Sequence, residues 1–391
     1  MRFTDDHDAF RTSMRNLFAR EIVPHFDQWE SDGIFPAHDL FKKLGDAGVF
    51  GLEYHPKFGG QGADHSYTVI MGEELGRIMC PAIAMAVTVQ TDMSTPSLHE
   101  FGTDALKERY LTPAVRGDVV TSIAVTEPDA GSDVASLRTR AVRDGDEWVI
   151  NGTKLYITNG TQADWICLLA RTSDEGGFRG ITQIIVPTDT PGFVVSRKLH
   201  KLGNRASDTA ELSFSDMRVS VENTIGEVGR GFQQQMAQFQ NERMIGVYCA
   251  VGQMEVALER TLAYLRERRV FGQPLIDHQY VAYRIAELDA ELDLLRHYCY
   301  ACAEAAMRGE DTSRFATIAK LKAGRLQRQV ADTCIQFHGG IGYMEETWTS
   351  PFFRDSRLLS IGGGADEVML RVLSRRYRVS HRRDEVTPAR Q

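Results

Sequence analysis

The sequence predicts a mostly helical protein with a β domain in its middle: helices over 1–118, short strands over 119–226 and a helical bundle over 227–391. Three observations carry this. Apolar residues recur at helical spacing towards both ends, as in Val281, Ile285, Leu288, Leu292 and Leu295. Between about 119 and 220 that period gives way to short runs separated by turn residues. A chain of 391 residues also exceeds what one compact core holds, so two or three domains are expected.

Taken in order, residues 1–20 read as an amphipathic first helix with Phe10, Met14, Leu17 and Phe18 on one face. Pro36 marks another helix start. Gly48, Gly59, Gly60 and Gly62 interrupt the pattern before a helix through Met71 and Leu75. In the middle zone, Trp148-Val149-Ile150 and Leu155-Tyr156-Ile157 flank Asn151-Gly152, a strong local signal for a hairpin turn. Asp164 to Ala170 and Ile181 to Pro187 read as further strands. Beyond Gly229 the stripe Met254, Ala257, Leu258, Thr261, Leu262 and Leu265 joins that of Val281 to Leu295 to predict long antiparallel helices. After Tyr377 the tail holds Arg378, Arg382, Arg383 and Arg390 with few apolar residues and reads as a solvated end.

Composition excludes some functions. Lys and Arg total 45 against 53 Asp and Glu, a net charge of −8, which argues against a general nucleic-acid binder. No apolar run approaches membrane-spanning length, so no membrane span is expected. The first residues lack a signal-peptide core, so a cytoplasmic protein is expected. Six cysteines, of which Cys299 and Cys302 are closest, show no metal-ligand spacing and read as reduced core thiols; no metal is expected.

Five stretches carry candidate chemistry. Ile123 to Asp133 runs from an apolar strand into a loop with hydroxyls at Thr126 and Ser132 and a glycine at Gly131, able to approach a flat, acceptor-rich ring. Strand alternation puts Tyr156 and Thr158 on one face. Arg268-Arg-Val-Phe-Gly-Gln-Pro reads as a helix ending near Gly272 with cations in its last turns, followed by His278-Gln279. Gln336 to Tyr343 is glycine-rich backbone suited to a pyrophosphate, with a new helix expected near Glu345. It is no dinucleotide fingerprint, because no strand precedes it, and His338 there reads as packing. Ile361-Gly-Gly-Gly-Ala-Asp-Glu367 leaves unusual clearance before an apolar helix.

In this order and at these spacings, the stretches resemble the acyl-CoA dehydrogenase family across nearly the whole chain. The resemblance rests on TEPDAGSD at Thr126–Asp133, NGTKLYITNG at Asn151–Gly160, RRVFG at Arg268–Gly272 and QFHGGIGY at Gln336–Tyr343. It implies FAD bound between the β and C-terminal domains, and homotetramers in which a neighbouring subunit touches the cofactor. Ile123, Val125, Thr126, Gly131 and Ser132 match the family's flavin-edge segment, and Ser132 also lies near the thioester in relatives. Tyr156 stands where many members have Trp, and Thr158 is the paired flavin hydroxyl. Arg268, Phe271 and Gln279 match the stretch that binds cofactor across the subunit boundary. Gln336, Gly339 and Gly340 match the segment at the adenosine diphosphate, and Ala365 and Glu367 a further FAD contact.

One departure is large. Most members place the catalytic glutamate in a motif close to YEGT, and here that position is Gly363. The isovaleryl and long-chain types instead place the base at the start of the first long C-terminal helix. Glu242, within Phe239-Gln240-Asn241-Glu242-Arg243, falls on that alternative position. The resemblance then implies that Glu242 removes the α-proton of an acyl-CoA thioester and that a hydride passes to flavin N5, giving a trans-2-enoyl-CoA. Electrons would pass to electron-transfer flavoprotein. Phe239, Arg243, Gly362, Gly363 and Ser132 would line the substrate, and the clearance at Gly362–Gly364 favours medium-to-long or methyl-branched chains over butyryl-CoA, as in citronellyl-CoA dehydrogenases. Two other readings share these motifs: an oxidase or monooxygenase on the same fold, and a non-catalytic acyl-CoA-binding subunit.

Overall fold

A computed structural model describes residues 1–377, so the arginine-bearing tail lies outside the described residues. The N-terminal part is helical: α1 (Asp5–Glu21), α2 (Phe26–Asp32), α3 (Ala37–Asp46), α4 (His65–Arg77), α5 (Pro81–Thr88) and the short α6 (Pro96–Phe101), α7 (Asp104–Leu106) and α8 (Thr112–Val115). Helix α1 buries Met14, Leu17 and Phe18, three of the residues on its expected face. Pro36 caps α3, where its missing N–H costs nothing.

The middle part forms one eight-stranded sheet. Its strands are β1 (Thr121–Ala124), β2 (Arg140–Asp144), β3 (Glu147–Thr158), β4 (Trp165–Arg171), β5 (Ile181–Pro187), β6 (Phe193–Lys198), β7 (Thr209–Ser220) and β8 (Thr224–Ile225). The order is β6-β7-β3-β2-β4-β5-β8, with β1 added in parallel to β4. The hairpin expected at Asn151-Gly152 is absent: both residues lie inside the 12-residue strand β3. A Cβ at Gly152 would come within 2.5 Å of Thr139 Oγ1, so this glycine answers a close neighbour rather than a turn. The hairpin lies six residues earlier, where Asp144 pairs Glu147 across Gly145 at φ +65°.

The C-terminal part is a bundle of α9 (Gly231–Glu267), α10 (Gln279–Met307) and α11 (Ser313–His338), followed by α12 (Thr349–Ser356) and α13 (Asp366–Ser374). Val281, Ile285, Leu288, Leu292 and Leu295 are all buried, as their spacing requires. Two expected boundaries shift. Helix α9 stops at Glu267, and Arg269-Val270 and Gln273-Pro274 form a small hairpin, β9 and β10. Phe271 and Gly272 between them take φ +51° and +86°, the positive-φ pair that a tight hairpin turn needs. After α11 a 3-10 turn over Gly339–Tyr343 intervenes, and the next helix begins at Thr349 rather than near Glu345.

The two helical parts share one hydrophobic core, which runs from Met14 and Phe41 through Met71 and Leu75 to Tyr248, Met254, Leu288 and Val330. Backbones of α4 and α9 touch. A Cβ at Gly76 would lie 2.0 Å from the Cys249 carbonyl oxygen, and one at Gly252 would lie 2.1 Å from that of Glu73. The sheet has a separate core around Trp148, Ile150, Ile166, Leu212 and Phe214. All six cysteines are free, and all but Cys249 are buried. Among the described residues no helix is long and apolar enough to cross a membrane, and no three His, Cys, Asp or Glu side chains converge as metal ligands.

Candidate active site

Helix α9 is pinned before it reaches the site. Gln183 on β5 donates to Gln235 Oε1 at 2.9 Å, and Ser97 Oγ donates to Gln238 Oε1 at 2.7 Å. One turn further on come Phe239, Glu242 and Arg243. The Arg243 guanidinium lies 5.7 Å from the centre of the Phe239 ring, and burial lowers its pKa. Its Nε is buried without a hydrogen-bond partner among the described residues.

Glu242 keeps some accessible surface, yet protein encloses its carboxyl. Among the described residues no donor or cation is within bonding distance of it. Burial pushes it up to about 7; Arg243 and Lys320 oppose the rise, and Asp92 adds to it. Across from it runs the glycine loop before α13, where Gly363 and Gly364 take φ +59° and +97°. The first carbon of a side chain at Gly363 would stand 3.8 Å from Glu242 Oε1. The carboxylate of Glu242 thus occupies the region towards which a side chain at 363 would project. Met369 packs beneath Gly364, where a Cβ would come within 2.7 Å of its methyl. Ala365 caps α13, and Glu367 is exposed in its first turn.

Behind Glu242 lies a polar cluster that sequence reasoning missed. A π-helical stretch, Val89–Ser94, holds Asp92 at 8% exposure. Burial raises Asp92 to about 7, against a hydrogen bond from Thr91. Nearby, Glu53 pairs with His65 at 2.8 Å, and His65 Nε2 meets the Tyr248 hydroxyl at 3.2 Å. Burial alone would lower His65, but the bonded Glu53 carboxylate turns the balance upward. The available signal was a lone Asp in a run of small and apolar residues.

On the sheet side, β1 leads through Val125 into the Thr126–Asp133 loop. Glu127 and Lys154 form a buried ion pair at 2.8 Å, and Lys154 also donates to the Val125 carbonyl at 2.9 Å. The Leu155 N–H donates to the Thr126 carbonyl at 2.8 Å. The two motifs, TEPDAGSD and NGTKLYITNG, are therefore stapled together at the start of the loop. Gly131 and Ser132 are exposed at its tip, with open space over Gly131. Ile123, Val125 and Thr126 are half-buried. The strand alternation expected through Tyr156 is interrupted by a bulge between Lys154 and Ile157. Tyr156 takes φ +63° with its ring 65% exposed, while the Thr158 carbonyl accepts from Ser122 at 2.5 Å.

The remaining residues do not join this cluster. Arg268 caps the far end of α9, about 39 Å from Glu242 at the helical rise per residue. Phe271 at the hairpin tip is 95% exposed, and Gln279 nearby donates to the Tyr283 hydroxyl at 2.8 Å. Gln336 is exposed at the end of α11, and Gly339 and Gly340 face open space. His338 is stacked on Tyr264 with ring centres 4.3 Å apart and bonds the Cys334 carbonyl. A further pocket of about 510 Å³ opens where the β4–β5 turn meets the start of α9, lined by Ser173, Phe178, Arg179 and Arg230. It lies about 18 Å along α9 from Glu242.

Three family models cover most of the chain: the acyl-CoA dehydrogenase N-terminal domain over 4–118, the middle domain over 122–217 and the C-terminal domain over 229–378. The mitochondrial long-chain specific acyl-CoA dehydrogenase of Mus musculus is 34% identical over 95% of this chain and 86% of its own length. The mitochondrial isovaleryl-CoA dehydrogenase of Solanum tuberosum is 32% identical over 95% and 90%. The crystal structure of an acyl-CoA dehydrogenase from Geobacillus kaustophilus superposes with a TM-score of 0.93 at 35% identity, over 96% of this chain and 99% of that one. Helices, sheet and bundle follow the architecture of that fold, and the chain belongs to the acyl-CoA dehydrogenase family, FAD-dependent oxidoreductases that act on the CH–CH group of acyl-CoA thioesters.

Proposed function

We propose that the protein dehydrogenates the α,β bond of a medium-to-long or methyl-branched acyl-CoA with Glu242 as the base. One observation carries this reading: an enclosed carboxylate with no bonding partner among the described residues, whose oxygen faces the bare Cα of Gly363 at the position where most relatives have their glutamate. With its pKa at about 7, Glu242 is a carboxylate in a substantial fraction of molecules at neutral pH, yet basic enough to take a proton. It would accept the α-proton while the thioester oxygen, where charge develops, meets the Gly363 N–H. FAD, when bound, supplies the acceptor at N5 for the β-hydrogen and its electron pair. The α-proton ends on Glu242 and the product is a trans-2-enoyl-CoA.

The residues present suit that cofactor. Gly131, Gly339 and Gly340 are exposed with open space over them, so bare backbone is accessible to a ligand there. Thr126, Ser132, Tyr156 and Thr158 would meet the flavin, with Ala365 and Glu367 as a further contact, whereas Gln336 to Gly340, whose His338 stacks on Tyr264 one turn before Arg268, would reach the adenosine diphosphate of a neighbour's cofactor. Arg268, Phe271 and Gln279 lie too far from Glu242 to serve the same flavin, which supports a homotetramer in which they reach a neighbour's cofactor. The pocket bearing Arg179 and Arg230 suits the anionic nucleotide end of coenzyme A, with the pantetheine arm lying along α9. Electron-transfer flavoprotein is the proposed acceptor, and the cytoplasm the proposed location.

The base is tested by anaerobic bleaching of the flavin with acyl-CoA. Glu242→Gln should bind FAD normally and lose at least about a hundredfold in rate, the low end of a general base's contribution. A mutant bleaching at near wild-type speed would give the role to another group. The substrate class is tested by a chain-length series, which butyryl-CoA should not lead.

A further inference from the structure

One face of α11 carries Lys320, Gly324 and Arg328, spaced by four residues and so stacked one above another. Each of them meets the loop that ends at α13. Lys320 Nζ donates to the Gly364 carbonyl. At Gly324 a Cβ would stand 2.8 Å from Ser360 Oγ and 3.3 Å from the Leu359 carbonyl oxygen, so the missing side chain lets the start of the loop settle onto the helix. Arg328, with Arg325, reaches Asp366 at 3.5 and 3.7 Å on the first residue of α13.

Lys320 is unusual on this face. It is 1% exposed and, among the described residues, has no carboxylate within ion-pair distance. A buried ammonium without a counter-ion is costly, so its bond to the loop must matter to the fold or the reaction. The charged groups around it are Asp366, Arg243, Glu242 and Glu367, and burial brings it down to about 8. The loop it holds has little of its own to fix it. Gly362, Gly363 and Gly364 have no side chains to pack, and two of the three take positive φ. A donor carried by such a backbone is aligned only if something outside the loop anchors it.

We propose that this face of α11 is a positioning element for the reaction, with Lys320 as the positioning residue that fixes the glycine loop so that the Gly363 N–H meets the thioester oxygen opposite Glu242. The proposal rests on the reading of Glu242 as the base. Lys320 itself touches the loop, not the substrate.

The test uses holoenzyme and 3,3-dimethylbutyryl-CoA, which has α-hydrogens but no β-hydrogen and so cannot be dehydrogenated. Exchange of its α-hydrogens in deuterated water, followed by mass spectrometry, reads proton removal and return with no net redox change. Lys320→Met should slow exchange at least about tenfold, since losing one aligned oxyanion donor costs about a hundredfold or more. Binding of the thioester by calorimetry should stay within about twofold. The pH midpoint of exchange should rise, because the lost cation lowers the Glu242 pKa in the native protein. Gly324→Ala pushes on the same loop without changing charge; it should slow exchange and leave the midpoint in place, and it serves if Lys320→Met does not fold. Exchange within about twofold of wild type in the folded variants overturns the positioning role. Glu242→Gln in the same assay separates the two readings. Lost exchange there, with wild-type speed in the α11 variants, overturns the positioning role alone; retained exchange overturns the base assignment and the positioning role with it.

Discussion

Moving the carboxylate across the site gives a sharp test of the geometry. In Gly363→Glu the first side-chain carbon sits 3.8 Å from Glu242 Oε1, an ordinary contact, so the new residue fits. Its backbone stays at φ +59°, which costs a non-glycine residue about 1–2 kcal/mol. A few degrees of Tm should be lost. The electrostatic effect is larger. Two carboxylates about 5 Å apart repel by roughly 3 kcal/mol at an effective dielectric of 20. That equals about two pKa units at ~1.4 kcal/mol each. The pair would therefore share one proton at neutral pH, and the acid limb of flavin bleaching should move about two units alkaline. The double variant Glu242→Gln, Gly363→Glu removes the repulsion and leaves a carboxylate on the other wall. It should recover at least about tenfold over Glu242→Gln alone. Anaerobic stopped-flow bleaching across pH 5–10, with FAD content as the control, measures both effects. An unmoved limb in the single variant together with no recovery in the double would refute the view that positions 242 and 363 face one reacting carbon.

Three further outcomes are expected. In the wild type, bleaching should rise with pH through about 7 as Glu242 ionises. The native protein holds protons on Glu242, Asp92 and Asp355 that the unfolded chain gives up near 4, so the stability these three contribute is fully present below that and is lost as pH rises towards about 7; Asp92→Asn should flatten that part of the slope in a pH series of melting curves. Glu127→Gln leaves the buried Lys154 without its counter-ion and should cost about 3–5 kcal/mol in denaturant titrations. Phe271→Ala should leave the melting of the isolated protomer unchanged, since the ring packs on little in its own chain, but should lower retained FAD and weaken self-association in sedimentation.

Much of this fold is legible in the sequence because local period and burial agree. The Val281–Leu295 stripe and the strand Ile181–Pro187 fall where their patterns put them. Local signals fail where a distant residue decides. Asn151-Gly152 has the chemistry of a turn, yet Thr139 packed against Gly152 keeps it in a strand. Phe271-Gly272 is a turn that a helical reading of the preceding cations conceals. The same holds at the site. Glu242 could be singled out only because a glycine stands at 363, a comparison between positions far apart in the chain. Asp92 and Lys320 carry no such mark. One is an acid in an apolar stretch and the other a lysine on a helix, and both become meaningful only when long-range packing buries them.

The backbone contact between α4 and α9 also constrains how the chain can be made. Gly76 and Gly252 are joined by nothing local; the whole sheet is synthesised between them. The first helical segment leaves the ribosome long before the helix that covers it, and its apolar face must wait through the production of the sheet. The sheet, with a core of its own, can form in that interval. The architecture is thus an insert with a core of its own held inside a discontinuous helical body. Contacts of such long sequence separation close slowly and leave sticky surface exposed in the meantime. Truncation after the sheet should yield chains that associate or bind chaperones rather than a shorter soluble protein, and expression yield should depend more on translation rate and temperature than on the stability of the finished fold.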